Sequence, residues 1–507
     1  MTSSRLDKHF NYKIEEPLIY QSWEETSAFS PNGTGKPFYI PMPPPNITGQ
    51  LHLGHALFCT LQDILIRHRR QQGDDALWLP GFDHAGIATQ QKLLAEMLPT
   101  DNREAFAATW TQRYCSRITE QLKKLGASCD WSRQRFTLDA DYTRATTEAF
   151  IRLYHQGLIH YQNGNWYLKL SELAKPLIAA LDNDEISISP STAAQKFRQT
   201  PDGNSLLDAH DWEISRQLWW GHSIPAWQIT GTDNWIIAHN EAEAYELAPL
   251  GSELIQSPDK LDTWFSSSLW SFAALGWPDN TTELERYLEA GILETGHDIL
   301  FFWAAKMAMM SLALTGKLPF KKLYLHGLIR DEQGQKMSKS QGNGIEPLLL
   351  IEEYGADALR FALAANTSAG EDSQIRQDQL IAAKRFTNKI WNAGRYIFQQ
   401  ESILKPFLAT EDEAFLKTLD TFKQQHNALL ANYEFRNAAT NLRSFFWHDF
   451  CDEYLESTKT RKSISAIYTT QEALRILLQM LHPFMPFITE KLWKQGGRTR
   501  TIMTSFY

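Results

Sequence analysis

The stretch Pro43-Pro44-Pro45-Asn46-Ile47-Thr48-Gly49-Gln50-Leu51-His52-Leu53-Gly54-His55 decides how the first part of this chain folds. Before it, Phe38-Tyr39-Ile40 has the apolar character of a short buried strand, and after it leucines and isoleucines recur at helical spacing. The sequence therefore predicts a strand, a Pro/Gly turn and the N-terminus of a helix. Such a turn presents unpaired backbone N–H groups and the positive end of a helix dipole, which together suit a phosphate.

Two histidines and a glycine lie at the start of the predicted helix. His52 and His55 are three residues apart, so both side chains can face one bound anion, and Gly54 lets a ligand approach the backbone. This pattern favours a nucleotide as the ligand. The His52-Leu53-Gly54-His55 sequence also fits histidines that only cap or pack the helix, and it does not by itself decide between the two roles.

The composition is that of a globular protein with no strong charge bias. The chain has 507 residues, of which 43% are hydrophobic and 21% charged, which is enough for two or more domains. The formal net charge of −9 gives no overall basic field for nucleic acid or for an anionic membrane. From Asn388 onward, 15 Lys and Arg face 12 Asp and Glu, a slight basic bias that would support RNA binding only if clustered on one face.

Cysteine spacing and hydropathy exclude several other classes. The four cysteines are far apart and form no C-x-x-C pair, which argues against a zinc site and against a disulfide framework. Residues 1–17 have no apolar segment typical of a signal peptide, and no apolar run approaches the roughly 18 residues of a membrane span. These features predict a cytoplasmic protein without zinc and without a membrane segment. They indicate nothing about its oligomeric state.

A second motif, Lys336-Met337-Ser338-Lys339-Ser340, lies in a glycine-flanked loop. Such a loop can move, and its two ammonium groups could close over phosphates only when substrate is bound. Taken by itself, the pattern also fits a solvated surface loop. After it, Pro347 suits a first helical turn, and apolar stripes at helical spacing predict a bundle. A Thr469-x-x-Glu472 capping box predicts the start of the last long helix.

Together, the histidine motif and the lysine motif about 280 residues later resemble the class I aminoacyl-tRNA synthetases. The chain is most similar to the valyl-tRNA synthetases, and the similarity covers nearly all of it. The resemblance rests further on residues 81–90, 214–222, 261–270, 298–303 and 482–490. It implies an α/β Rossmann-type catalytic domain with a short insertion, followed by an all-α helical bundle.

The resemblance also implies domain boundaries, which we state as expectations. They are a lead-in and first half of the catalytic domain at 1–150, a reduced connective insertion at 151–290, the second half with the lysine loop at 291–345, a stem region at 346–387, and a bundle resembling the anticodon-binding domain at 388–507.

The implied reaction uses ATP and Mg²⁺ to join valine, or a close aliphatic analogue, to tRNA through an aminoacyl adenylate. Positioning and charge stabilisation do most of such work. The implied catalytic residues are His52, His55, Lys336 and Lys339. The implied ATP-binding residues are His52, Gly54, His55, Gly296, Asp298, Lys336, Met337 and Lys339. The implied amino-acid-binding residues are Asn46, Asp83, Trp220 and Trp264, although both tryptophans also fit ordinary core packing.

Departures from the family pattern bear on the biological role. Only about 45 residues separate Trp166 from Trp212, where the family carries a large hydrolytic editing domain, so we expect that domain to be absent. A hydrophobic pocket rejects an isostere with a hydroxyl by only about 10², so an enzyme without editing should release or transfer misactivated threonine. The sequence also ends at Tyr507, without the further helical and coiled-coil region of the family.

Four single positions also depart from the pattern. Phe82 replaces a threonine next to the substrate acid, His297 replaces an apolar residue, Gln341 replaces a lysine after the mobile motif, and Pro41 lies in the first strand. Phe82 could reshape the pocket, which leaves an amino acid other than valine open as the substrate. Two alternatives stay open: a paralogue that activates an amino acid for an acceptor other than tRNA, and a non-catalytic regulatory binding protein. Intact His52, His55, Lys336 and Lys339 argue against the second.

Overall fold

A parallel sheet forms the centre of the computed structural model, which describes residues 6–98, 100, 102–331, 333–335, 345–401 and 404–505. Its strands are β1 (Pro37–Pro41), β2 (Asp75–Leu79), β3 (Ser187–Ser189), β4 (Ile292–Gly296) and β5 (Lys322–His326). Strands β1 and β2 form one parallel pair, and β4, β5 and β3 form a parallel group in that order. The two groups meet where β1 lies beside β4: the backbones are so close there that a Cβ added at Gly291 would fall 1.4 Å from the carbonyl oxygen of Tyr39.

In the resulting order, β2-β1-β4-β5-β3, the strands that follow β1 in sequence are added on opposite sides of it, so the topological switch point lies between β1 and β4. The Gln62 side chain shows that three strands end at the same level. It donates to the Glu294 carbonyl at 3.1 Å and accepts from Trp78 Nε1 at 2.9 Å, and Trp78 pairs with Ile40. These partners are one or two residues from the ends of their strands. The carboxyl ends of β1, β2 and β4 therefore meet at one edge, the position where open α/β sheets bind ligands.

The predicted insertion is more closely joined to the catalytic domain than the sequence indicated. Strand β3 lies within 151–290 yet pairs with β5, and the helix Leu170–Asp182 packs against Lys306–Thr315. A Ser-Ile-Ser strand has one apolar residue, so hydrophobic periodicity could not find it. The remaining strands are Gly81–Phe82, Arg135–Phe136, Ile159–Gln162, Asn165–Leu168, Trp212–Glu213, Ser215–Arg216, Ala226–Ile229, Trp235–Ile237, Leu254–Gln256, Lys260–Leu261, Ile329–Arg330 and Ser373–Gln374.

Helices surround the sheet and make up nearly all of the C-terminal part. The helix Gln377–Ile397 runs through residue 388, so the expected boundary between stem and bundle falls inside one helix. The α-helices are Tyr12–Glu25, Leu53–Gln71, Gly86–Glu96, Arg103–Lys124, Ala140–His155, Leu170–Asp182, Ala194–Phe197, Glu241–Leu247, Thr263–Ser267, Trp270–Ala273, Thr282–Tyr287, Lys306–Thr315, Pro347–Tyr354, Ala356–Ala365, Gln377–Ile397, Thr410–Ala431, Phe435–Ser444, Glu456–Arg461, Ile464–Leu481 and Pro486–Gln495, with π-helical turns at Leu300–Ala305 and Phe445–Leu455.

One core helix contradicts the expectation that no apolar run approaches the length of a membrane span. The helical stretch His297–Thr315 is long and apolar enough, by length and composition, to cross a membrane. In the structure, 61% of its most apolar window is buried against other elements. That burial is typical of the core helix of a globular domain.

A buried ion cluster joins the catalytic sheet to the C-terminal helices. Asp63 Oδ2 accepts from Arg67 Nε and from Arg360 Nη2, each at 2.7 Å, and all three side chains are fully buried. Burial would raise the pKa of Asp63, but the two guanidinium groups and Ser128 outweigh it and hold that pKa below its usual range. Asp63 is therefore ionised within the core.

We expect Asp63→Ala to lower the free energy of unfolding by about 3–5 kcal/mol, because it leaves two buried guanidinium groups without a counter-charge. Urea unfolding followed by circular dichroism measures the change. Glu96→Ala is the matched control: Glu96 forms only an exposed pair with Arg113 at 3.9 Å, so its loss should cost about 0.5 kcal/mol or less. Equal stability of the two variants would show that the cluster does not join the two parts.

Candidate active site

The histidine motif forms the N-terminus of the helix Leu53–Gln71, at the edge where β1 ends. His52 is the N-cap: its Nδ1 accepts from the Gly54 N–H at 3.0 Å, and its own N–H donates to His55 Nδ1 at 3.2 Å. The ring centroids are 4.0 Å apart. Since both Nδ1 atoms accept, the proton of each neutral ring lies on Nε2, and Nε2–H is a donor that suits phosphate oxygens.

Gly54 has a steric reason to be glycine. A Cβ there would lie 2.8 Å from Cε1 of His52, which is closer than real Cβ contacts. The histidines therefore do cap the helix, which was the alternative to a nucleotide-binding role in the sequence analysis. The same capping bonds orient both rings at a helix N-terminus, which is an anion-binding position, so the two interpretations are compatible.

Asp83 is a buried carboxylate held by three donors. Its Oδ1 accepts from the Ala85 N–H at 2.6 Å and from Thr263 Oγ1 at 3.0 Å, and its Oδ2 accepts from Ser267 Oγ. Burial raises the pKa of Asp83 above its ordinary value, while the hydrogen bonds from Ser267, Ala85 and Thr263 act in the opposite direction. A carboxylate desolvated to this degree is stabilised further by a cation.

Asn46 lies next to Asp83, as expected. The Ile47 N–H donates to the Asp83 carbonyl at 3.2 Å, and the Asp83 N–H donates to the Pro45 carbonyl at 3.1 Å. This bridge joins the Pro-rich turn after β1 to the segment after β2. It brings the amide of Asn46, which is exposed, to the same edge as the buried carboxylate.

The two candidate wall tryptophans also converge on Asp83. Trp220 Nε1 donates to the His84 carbonyl at 2.9 Å, and Trp264 lies on the short helix Thr263–Ser267 that supplies two of the Asp83 donors. Both indoles are half-buried. Phe82 is 1% exposed and belongs to the hydrophobic core against which Trp220 packs.

Gly296 and Asp298 lie at the end of β4. A Cβ at Gly296 would fall 2.6 Å from Asp298 Oδ1 and 3.4 Å from His326 Nε2. The Asp298 carboxylate and the His326 imidazole therefore both face the space that only a glycine leaves open. His326 is held by Glu294, whose Oε1 faces His326 Nδ1 and whose Oε2 accepts from Gln62 Nε2 at 2.9 Å. Sequence reasoning missed His326 and Glu294, although both lie at the carboxyl ends of strands.

Lys336, Met337 and Lys339 lie outside the described residues. The segment before them is anchored by Asp372, which accepts from the Leu328 N–H at 2.7 Å and from Arg330 Nε at 2.6 Å. His297 Nε2 also lies 3.2 Å from Asp372 Oδ1. His297, one of the departures from the family pattern, therefore links the Gly296 segment to the strand that leads to the lysine motif.

Other residues were missed because they act from distant parts of the sequence. Thr263, Ser267 and Gln90 were quoted only as parts of family stretches, and no local pattern shows that they bond to Asp83 or to the Trp219–Trp220 backbone. Across the part of the chain that the structure describes, no group of three His, Cys, Asp or Glu side chains could hold a metal ion.

Comparison with known families decides the class. The family described as tRNA synthetases class I (I, L, M and V) matches residues 18–164 and 160–376, and the anticodon-binding domain of tRNA ligase matches residues 412–507. The chain belongs to the class I aminoacyl-tRNA synthetases. The expectation of a Rossmann-type catalytic domain followed by a helical region is thereby confirmed.

Curated relatives of this class I synthetase are named valine–tRNA ligases. The chloroplastic/mitochondrial valine–tRNA ligase 2 of Arabidopsis thaliana is 32% identical over 726 residues, covering 97% of this chain and 74% of that protein. The enzyme of Thermotoga maritima is 31% identical over 705 residues, covering 98% and 81%. These names support an enzyme rather than a non-catalytic binding protein.

Solved structures share the fold of this synthetase. A ternary complex of leucyl-tRNA synthetase, tRNA and LeuAMS from Agrobacterium radiobacter K84 superposes with a TM-score of 0.81 at 16% identity, covering 98% of this chain and 90% of that one. Methionyl-tRNA synthetase of Mycobacterium tuberculosis with methionyl-adenylate gives 0.73 at 20% identity, covering 90% and 93%. At these identities, the likeness shows the fold alone.

For this synthetase we expect Ser267→Ala to raise the pKa of Asp83 further, because it removes a donor to the ionised carboxylate. The ionised fraction would then be lost at a higher pH as the pH falls. A ¹³C NMR titration of the aspartate carboxyl groups measures the shift. Ser266→Ala is the control, since Ser266 Oγ donates to the Thr263 carbonyl at 3.0 Å and not to Asp83. The same titration curve in both variants would contradict the role given to Ser267.

Proposed function

We propose that this synthetase activates valine with ATP and Mg²⁺ and transfers it to tRNA without editing. The observation that carries the proposal is the buried Asp83 carboxylate, held at the carboxyl edge of the sheet between the Asn46 bridge and the two half-buried indoles. A desolvated anion next to aromatic walls suits the ammonium group and short aliphatic side chain of a small amino acid.

The nucleotide would lie across the switch between β1 and β4. Nε2–H of His52 and His55, at a helix N-terminus, would donate to phosphate oxygens, and the glycine at 54 would admit the nucleotide. Gly296 and Asp298 would receive the ribose at the end of β4. Lys336, Met337 and Lys339 would close over the triphosphate from the loop after β5.

The reaction has two balanced steps. A carboxylate oxygen of valine attacks the α-phosphorus of ATP, the bond to the oxygen that bridges the α- and β-phosphates breaks, and pyrophosphate leaves; a bound Mg²⁺ would supply positive charge to the phosphates. A ribose hydroxyl at the 3′ end of tRNA then attacks the carbonyl carbon of the adenylate, the bond from that carbon to the phosphate oxygen breaks, and the hydroxyl proton passes to the phosphate of the departing AMP. In the first step the lysines would stabilise the charge that develops on the phosphates, so that positioning and electrostatics supply most of the acceleration.

The absence of editing rests on two observations. The alignment with the Arabidopsis relative spans 726 positions against a chain of 507, so at least 219 of its positions face no residue here. In the structure, Leu168 pairs with Trp212 in one small sheet, and the helix Leu170–Asp182 and strand β3 between them pack on the catalytic domain. The segment that joins these two strands thus belongs to the catalytic core.

Transfer to tRNA is supported by the helical region that matches the anticodon-binding domain at 412–507. The other expected boundaries become part of this proposal: a catalytic domain at 1–150 and 291–345 around the insertion at 151–290, a stem at 346–387, and an RNA-binding bundle at 388–507. Two observations bear on these boundaries: β3 pairs with β5, and the helix Gln377–Ile397 runs through residue 388.

Amino-acid-dependent exchange of pyrophosphate into ATP tests the activation step. Among the twenty amino acids, we expect valine to give the highest kcat/KM.

Lys339→Ala should lower kcat by about 10²-fold or more with little change in the KM for ATP, because a mobile cation acts mainly in the transition state. Equal effects on ATP affinity and kcat would contradict this role. Normal exchange with no charging of total tRNA would contradict the transfer step.

Charging with threonine tests the absence of editing. We expect threonine to charge tRNA with a kcat/KM roughly 10²-fold below that of valine, and the threonyl-tRNA to persist, since one hydrophobic pocket discriminates this isostere only weakly. Acid-gel separation of charged tRNA, combined with AMP release, measures both. ATP consumption with threonine that greatly exceeds the threonyl-tRNA formed would show an editing activity and refute this part of the proposal.

A further inference from the structure

We propose that Gln90 is a positioning residue that sets amino-acid selectivity by fixing the Trp220 wall against Asp83. The inference rests on the proposed function, because it takes Asp83 as the ammonium acceptor and Trp220 as a wall of the side-chain pocket. Gln90 is not among the residues that we assign to the ammonium group, the nucleotide or the reacting atoms. It acts through the backbone of Trp219 and Trp220.

The wall segment needs an external support. Residues 217–222 carry Trp220 but form neither helix nor strand, so their backbone N–H groups are not paired in a regular ladder. Gln90 Oε1 accepts from the Trp219 N–H at 2.9 Å and from the Trp220 N–H at 3.2 Å. One side-chain oxygen thus fixes two consecutive peptide groups of this loop.

A second bond anchors the indole to the same stretch. Trp220 Nε1 donates to the His84 carbonyl at 2.9 Å, and His84 is itself fixed because its N–H donates to Thr137 Oγ1 at 2.9 Å. Both anchors of Trp220 therefore belong to residues 83–90, the stretch that also carries Asp83. The candidate wall is therefore tied directly to the eight-residue stretch that carries the candidate ammonium acceptor.

The position of Gln90 on its helix explains how it reaches the loop. The helix Gly86–Glu96 begins directly after Ala85, a residue in the left-handed region with φ of 56° whose N–H donates to Asp83. Gln90 lies one turn beyond Gly86, so it is on the same face as that start and is half-buried. Gln91, one position further, is exposed on another face and offers a matched control.

Loss of the Gln90 acceptor should loosen the wall and leave the nucleotide site intact. Gln90→Leu keeps most of the volume but removes the oxygen. We expect the KM for valine to rise about tenfold and the selectivity for valine over alanine and isoleucine to fall by about the same factor, which is within the range that a hydrophobic pocket controls. The KM for ATP should stay within about twofold, since Gln90 is not part of the nucleotide site.

Hydrogen–deuterium exchange gives a readout that does not depend on activity. In the wild type, the amides of Trp219 and Trp220 should be protected; in Gln90→Leu that protection should fall about tenfold or more, and in Gln91→Leu it should not change. Gln90→Glu retains an acceptor oxygen, so it should keep the protection and a valine KM within about threefold of wild type. A general loss of folding would instead raise exchange throughout the chain.

Three results would separate the inference from the proposed function. Unchanged protection at Trp219 and Trp220 in Gln90→Leu would overturn the positioning role. Lost protection with an unchanged valine KM and unchanged selectivity would overturn the role in selectivity while the proposed function stands. No pyrophosphate exchange by the wild type with any amino acid would overturn the proposed function and the selectivity role. The hydrogen–deuterium exchange data would still decide whether Gln90 holds the loop.

Discussion

The ion cluster of Asp63, Arg67 and Arg360 is the interaction on which the rest of the structure depends. Its three charges are removed from water, so each must be fully bonded or the cost is several kcal/mol. The bonds extend into the C-terminal helices, where Arg67 Nη1 lies 2.9 Å from His482 Nε2. A guanidinium only donates, so Nε2 accepts and Nδ1–H donates to Thr489. Burial and the two arginines hold the pKa of His482 well below its usual range, consistent with this neutral tautomer.

The helix that carries Asp63 and Arg67 also carries the histidine motif at its N-terminus. Leu53–Gln71 is buried along most of its length, and its inward polar side chains each reach a different element: Gln62 reaches β4, and Asp63 reaches Arg360. A helix fixed at its middle cannot slide, so its N-terminus stays level with the ends of β1, β2 and β4. The dipole and the two histidine rings are thereby aimed at one edge of the sheet without any contact from a ligand. Stability of the scaffold and orientation of the candidate anion site therefore depend on the same helix.

The sequence predicted well what is local and poorly what is distant. The strand, turn and helix around residue 43 follow from periodicity and turn chemistry, and the structure has all three. Strand β3 was missed because Ser-Ile-Ser shows no pattern, and the Thr469 capping box was wrong as a helix start. That helix begins at Ile464, where Ser463 Oγ accepts from the Ala466 N–H at 3.1 Å. Thr263, Ser267 and His326 could not be found at all, since their roles come from the fold.

The candidate amino-acid pocket shows why the residues named by the family motifs are not sufficient to predict how the pocket is held together. Asp83 is as buried as a core residue, and an isolated aspartate there would be neutral rather than ionised. Two of its three donors come from Thr263 and Ser267, about 180 residues later, on the same helix as one candidate wall. The other wall is tied to the His84 carbonyl. The candidate ammonium acceptor and both candidate walls are thus held by one set of cross-links between distant segments. Phe82 fits this view: it is buried in the hydrophobic core that Trp220 packs against, so its size would act on the pocket by displacing neighbouring side chains.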